Sequence, residues 1–99
     1  MTIYLKENEL EIIQKILSPY HKLYNIYVFG SRIKGNHRKF SDLDLCFISE
    51  KEMPLLHLGN LTEEFEESNL PFKVDIIDYN RVTDEFKKII DKNKVPLKQ

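Results

Sequence analysis

The chain has one cysteine in 99 residues, which excludes an internal disulfide and fits a reducing compartment. It has no surplus of either charge: 15 Lys and Arg stand against 16 Asp and Glu, a formal net charge of -1. No global basic field is therefore available to gather nucleic acid, and direct nucleic-acid binding is not expected. Long apolar runs are also missing. Nothing approaches the roughly 18 residues of a membrane span, and the start, MTIYLKENELEI, is charged too early for a secretory leader. Repeats, linkers and low-complexity tracts are absent as well. What remains is a single domain over residues 1–99 with ordinary globular composition, 41% hydrophobic and 31% charged, expected in the cytoplasm without membrane contact.

Periodicity predicts the elements. Lys6 to Leu17 sets Leu10, Ile13 and Leu17 at helical spacing, widened by Ile12 and Ile16, with glutamates early and Lys15 late as the helix dipole prefers. Ser18-Pro19 ends that helix. Tyr24 to Phe29 is aromatic and β-branched and reads as a strand stopped by Gly30. A short helical turn and a polar, basic loop follow through Lys39. Asp42 to Ser49 reads as a second strand, mostly buried on both faces. Pro54 to Ser68 carries Leu55, Leu56, Leu58, Leu61 and Phe65 on an amphipathic helix that Gly59 weakens. Phe72 to Tyr79 is a third strand. A last helix from about Val82 to Lys92 turns Phe86, Ile89 and Ile90 inward, and residues 93–99 are expected to fray. The alternation predicts an α/β fold of the α+β type, with a short mixed sheet of three to four strands flanked by helices.

Three acids and one turn carry the chemistry. Side chains at i and i+2 of a strand share a face, about 6.5 Å apart at Cα, so Asp42 and Asp44 point the same way. Asp75 interrupts the apolar run of the third strand in VDII. If those strands are neighbours, three carboxylates meet at one sheet end. Like charges so close disfavour joint ionisation unless a cation neutralises them. Oxygen donors without histidine or cysteine suit Mg²⁺ or Mn²⁺ rather than zinc. Taken alone, an Asp-x-Asp pair is more often a turn or cap element, and Asp78 beside Asn80 reads as a strand-end cap. Gly30-Ser31 follows the first strand, where freed backbone N–H groups and a hydroxyl suit phosphate, although the same pattern is an everyday turn. A Walker A loop is excluded: Gly30 and Gly35 have its spacing, but Asn36 and His37 stand where Lys and Ser/Thr are required. His21, His37 and His57 lack ligand spacing and suit the surface, and Cys46 suits the core. Lys34, Arg38 and Lys39 read equally well as a solvated loop face.

In combination, VFGSRIKG, then SDLDL ten residues after Gly30-Ser31, then VDIID, resembles the signature of the DNA polymerase beta nucleotidyltransferase superfamily, and within it the minimal nucleotidyltransferases. The resemblance covers nearly the whole chain. It implies the nucleotidyltransferase fold and a Mg²⁺-dependent reaction on ATP. In that reading Asp42 and Asp44 bind the metal bridged to the triphosphate. Asp75 helps hold metal on the acceptor side and takes the proton of the attacking hydroxyl. Gly30 and Ser31 grip the β- and γ-phosphates, and Arg32 steadies the leaving pyrophosphate.

Only about twenty residues follow Tyr79, enough for one helix and a tail, so the acceptor is expected from another protein. The resemblance implies a HEPN-domain toxin as that partner in a hetero-oligomer, neutralised by transfer of AMP to a tyrosine. Two alternatives belong to other classes: an antitoxin that acts by contact only, and an antibiotic-type nucleotidyltransferase acting on a small molecule.

Overall fold

In a computed structural model, residues 3–38 and 40–98 are described. They form α1 (Glu7–Leu17), a 3₁₀ turn (Ser18–Tyr20), β1 (Asn25–Phe29), α2 (Ser31–Lys34) and β2 (Leu43–Ile48). These are followed by α3 (Leu55–Glu67), β3 (Val74–Asp78), a second 3₁₀ turn (Tyr79–Arg81), α4 (Asp84–Asn93) and β4 (Val95–Pro96). The sheet order is β3-β2-β1-β4. β1 runs antiparallel to β2 and β4, whereas β2 and β3 are parallel. A parallel pair needs a crossover, and α3 supplies it. The fold is thus α/β with a four-stranded mixed sheet flanked by helices.

Register assigns the faces. Ile26 and Val28 align with Phe47 and Leu45, and Leu43 and Leu45 with Val74 and Ile76. This face is the core: Val28, Leu43 and Leu45 are fully buried, together with Ile13 and Leu17 of α1 and Leu61 of α3. The opposite face carries Tyr27, Phe29, Asp44, Cys46, Asp75 and Ile77. There α4 lies across the sheet, with Phe86 edge-on to Phe29 at 5.9 Å between centroids and Lys94 over the Tyr27 ring. Cys46 is buried as expected, and burial pushes its thiol up to about 12. Asp78 also behaves as a cap, accepting from the backbone N–H groups of Asn80 (3.0 Å) and Met53 (2.7 Å) and pairing with Arg81.

Several expectations are corrected. The tail from residue 93 does not simply fray: Val95 and Pro96 pair with Val28 and Tyr27, and Leu97 is buried, donating to the Ile26 carbonyl. Gln99 lies outside the described residues, as does Lys39. Ile89 points outward at 53% exposure, and Leu55 and Leu56 stand at 71% and 72%. Apolar spacing located these helices but made their buried stripes too wide. His57 is half-buried, with its Nδ1 2.8 Å from the Tyr24 hydroxyl, and His37 is half-buried against the Tyr4 ring, so neither is a plain surface residue. Gly59 is tolerated within α3 because packing of Leu61 and Phe65 outweighs one residue's poor propensity.

Candidate active site

The three strand ends expected to carry chemistry meet at one end of the sheet, on the face that α4 crosses. Phe29, the last residue of β1, is directly opposite Asp44, and Asp44 is directly opposite Asp75 on β3. The chain then turns at Gly30 with φ 84° and ψ -153°, a conformation that L side chains rarely adopt. Glycine is needed there for a second reason: a Cβ at position 30 would overlap Asp44 Oδ2. The glycine-serine turn and the strand acid are therefore packed directly together. Ser31 opens α2, which ends at Gly35 in the left-handed region (φ 77°), under the Tyr4 ring.

The Asp44 and Asp75 carboxyls stand side by side on adjacent parallel strands. Burial, then the charges of Asp75 and Asp42, push Asp44 up to about 6. Asp42 itself is exposed, just before β2 begins. Lys73 Nζ lies 3.5 Å from Asp75 Oδ1. Lys73 was not anticipated, although Lys-x-Asp on one strand face is a readable signal.

The structure thus brings Gly30, Asp44 and Asp75 together, with Ser31 beside them and Asp42 at the rim. It gives Arg32 different neighbours from those expected. Only 3% exposed, Arg32 donates to the backbone carbonyls of Ser41 and Tyr4.

No group of three or more histidine, cysteine, aspartate or glutamate side chains among the described residues is arranged as it stands to hold a metal ion. The donors nevertheless fit a hard divalent cation. They are carboxylate oxygens only, and the crowding of acids that raises Asp44 would be relieved by an added positive charge.

Comparison with known proteins identifies the family. The family model described as polymerase beta, nucleotidyltransferase matches residues 11–99. Probable protein adenylyltransferase MntA of Haemophilus influenzae is 42% identical over 88 residues, covering 89% of this chain and 77% of that protein. A solved structure described as a minimal nucleotidyltransferase aligns with a TM-score of 0.68 at 28% identity, over 89% of this chain and 95% of the other. A toxin-antitoxin crystal structure with AMP-PNP gives a TM-score of 0.71 at 20% identity, over 88% and 70% respectively, a likeness of fold. The turn at Gly30, the acids on adjacent parallel strands and the match across most of the sequence lead to one conclusion: the chain belongs to the polymerase beta nucleotidyltransferase family.

Proposed function

We propose that this protein transfers AMP from ATP to a hydroxyl on a partner protein, a toxin of the HEPN type, and so acts as its antitoxin. The observation that carries the reading is the placement of Asp44 directly opposite Asp75 on the neighbouring parallel strand and packed against the Gly30-Ser31 turn. The relative named protein adenylyltransferase supports AMP as the group moved. The fold's likeness to a toxin-antitoxin complex containing AMP-PNP supports both the nucleotide and the kind of partner.

Asp42, Asp44 and Asp75 would hold Mg²⁺, which when bound neutralises charge on the triphosphate and on the attacking oxygen. Ser31 and the backbone at Gly30 hold the β- and γ-phosphates. Asp75 faces the acceptor and takes its hydroxyl proton as the oxygen attacks the α-phosphorus in line. The bond from that phosphorus to the bridging oxygen breaks, and pyrophosphate leaves. Positioning and charge neutralisation carry most of the acceleration, as in phosphoryl transfer generally.

The test is incubation of the protein with ATP, Mg²⁺ and the HEPN-type partner, followed by intact-mass analysis. One AMP added to the partner, and lost with Asp42→Ala or Asp44→Ala, is the expected result. A partner unchanged in mass with every nucleoside triphosphate overturns the reading. An Asp44→Ala protein that still protects cells from the toxin would show that contact alone suffices.

A further inference from the structure

Arg32 follows Ser31 directly, yet its side chain enters the protein. Nε and Nη2 donate to the Ser41 carbonyl at 3.3 and 3.0 Å, and Nη1 donates to the Tyr4 carbonyl at 3.3 Å. Its Cζ lies 4.3 Å from the centroid of the Phe72 ring. Each of these contacts leads to a different part of the site. Ser41 immediately precedes Asp42. Phe72 precedes Lys73, whose carbonyl accepts from Leu43 N at 2.9 Å, and the same segment runs on to Asp75. Tyr4 belongs to the N-terminal strap, whose N–H donates back to the Arg32 carbonyl at 2.7 Å.

We propose that Arg32 is a positioning residue for nucleotide transfer, a joint that fixes the Gly30-Ser31 phosphate grip relative to Asp42, Asp44 and Asp75. The proposal rests on the function given above. The sheet already sets Gly30 against Asp44. Arg32 adds a link from Ser31 to the residue before Asp42, across the loop in which Lys34, Asn36, Arg38 and Phe40 are exposed. A misplacement of about 1 Å between groups that must act on one substrate costs on the order of 100-fold in rate. A planar guanidinium suits the task because it forks onto one carbonyl while stacking on a ring, which a lysine ammonium cannot do. Burial of the cation is compensated by those carbonyls and by the face of Phe72.

The competing role, direct contact with the phosphates, makes opposite predictions. As a joint, Arg32→Lys lowers kcat about 10- to 100-fold and leaves KM for ATP within a few-fold, so lysine gives no rescue. Phe72→Leu, which removes only the stacking surface, gives the same pattern more weakly, and the double variant falls well short of the product of the two effects. As a phosphate ligand, Arg32→Lys would retain most turnover and raise KM instead. Amide exchange of the unliganded protein supplies a readout independent of activity. Arg32→Lys should speed exchange at residues 31–34 and 41–44 together and leave β4 unchanged. Rescue by lysine, fully multiplicative effects of Arg32→Lys and Phe72→Leu, or unaltered exchange at residues 41–44 would each overturn the proposal. If the wild-type protein transfers no AMP, the exchange measurement still decides the joint while the proposed activity falls by itself.

Discussion

Asp44 keeps a proton to about pH 6 because burial and two neighbouring aspartates oppose its charge. The consequence for stability has a definite sign. Below about 3.8, its ordinary value, folded and unfolded chains both carry the proton and the group costs nothing. As pH rises to about 6 the folded state gives up a proton that it favours, and above that pH the full cost is present. Asp44→Asn should therefore melt higher than the wild-type protein at pH 7.5, by about 1 kcal/mol after allowance for solvent screening. That corresponds to roughly 4–8 °C for a domain of this size, and the difference should vanish near pH 4. Melting curves at both pH values check it. Affinity for Mg²⁺ should also weaken below about pH 6, where a proton competes for Asp44. Gly30 is the second decisive residue. Gly30→Ala forces an unfavourable backbone and displaces Asp44, so a loss of about 1–3 kcal/mol in stability and roughly 100-fold in transfer rate is expected. Thermal melts and turnover measured on one preparation separate the two effects.

Among the elements, α4 shows what sequence periodicity conveys and what it omits. Apolar spacing located the helix, but Ile89 and Ile90 are adjacent and only the sheet decides which of them is covered. Ile90 is fully buried, whereas Ile89 is 53% exposed. Ile90→Ala should cost about 2–5 kcal/mol and Ile89→Ala about 0.5 kcal/mol or less, a contrast that denaturant melts resolve. β4 was hidden for a different reason. Its two residues include a proline, and what makes them a strand is pairing with β1, far away in sequence. The acids and the glycine-serine turn were readable because each lies within a short strand-end segment whose chemistry is local. Arg32 was readable as a cation near phosphates but not as a buried one, since Tyr4, Ser41 and Phe72 come from three separate parts of the chain.

For the molecule as a whole, binding of Mg²⁺ and ATP at the open end of the sheet should raise the melting temperature. At a hundredfold excess over Kd the gain is about 2.7 kcal/mol, and Asp44→Asn should lose most of it. Scanning fluorimetry with and without EDTA measures both. No described helix is long and apolar enough to cross a membrane, as the lack of apolar runs implied. The sheet order was not available from composition or spacing, because it depends on which strand lies beside β2 after the α3 crossover. That order leaves the molecule with two unlike borders. On one side β4 ends in Pro96, which has no N–H to offer a further strand. On the other side stands β3, with Asp75 along it. A second polypeptide that extended the sheet would thus find a fuller set of backbone partners at the β3 border, and would bring its own backbone alongside Asp75.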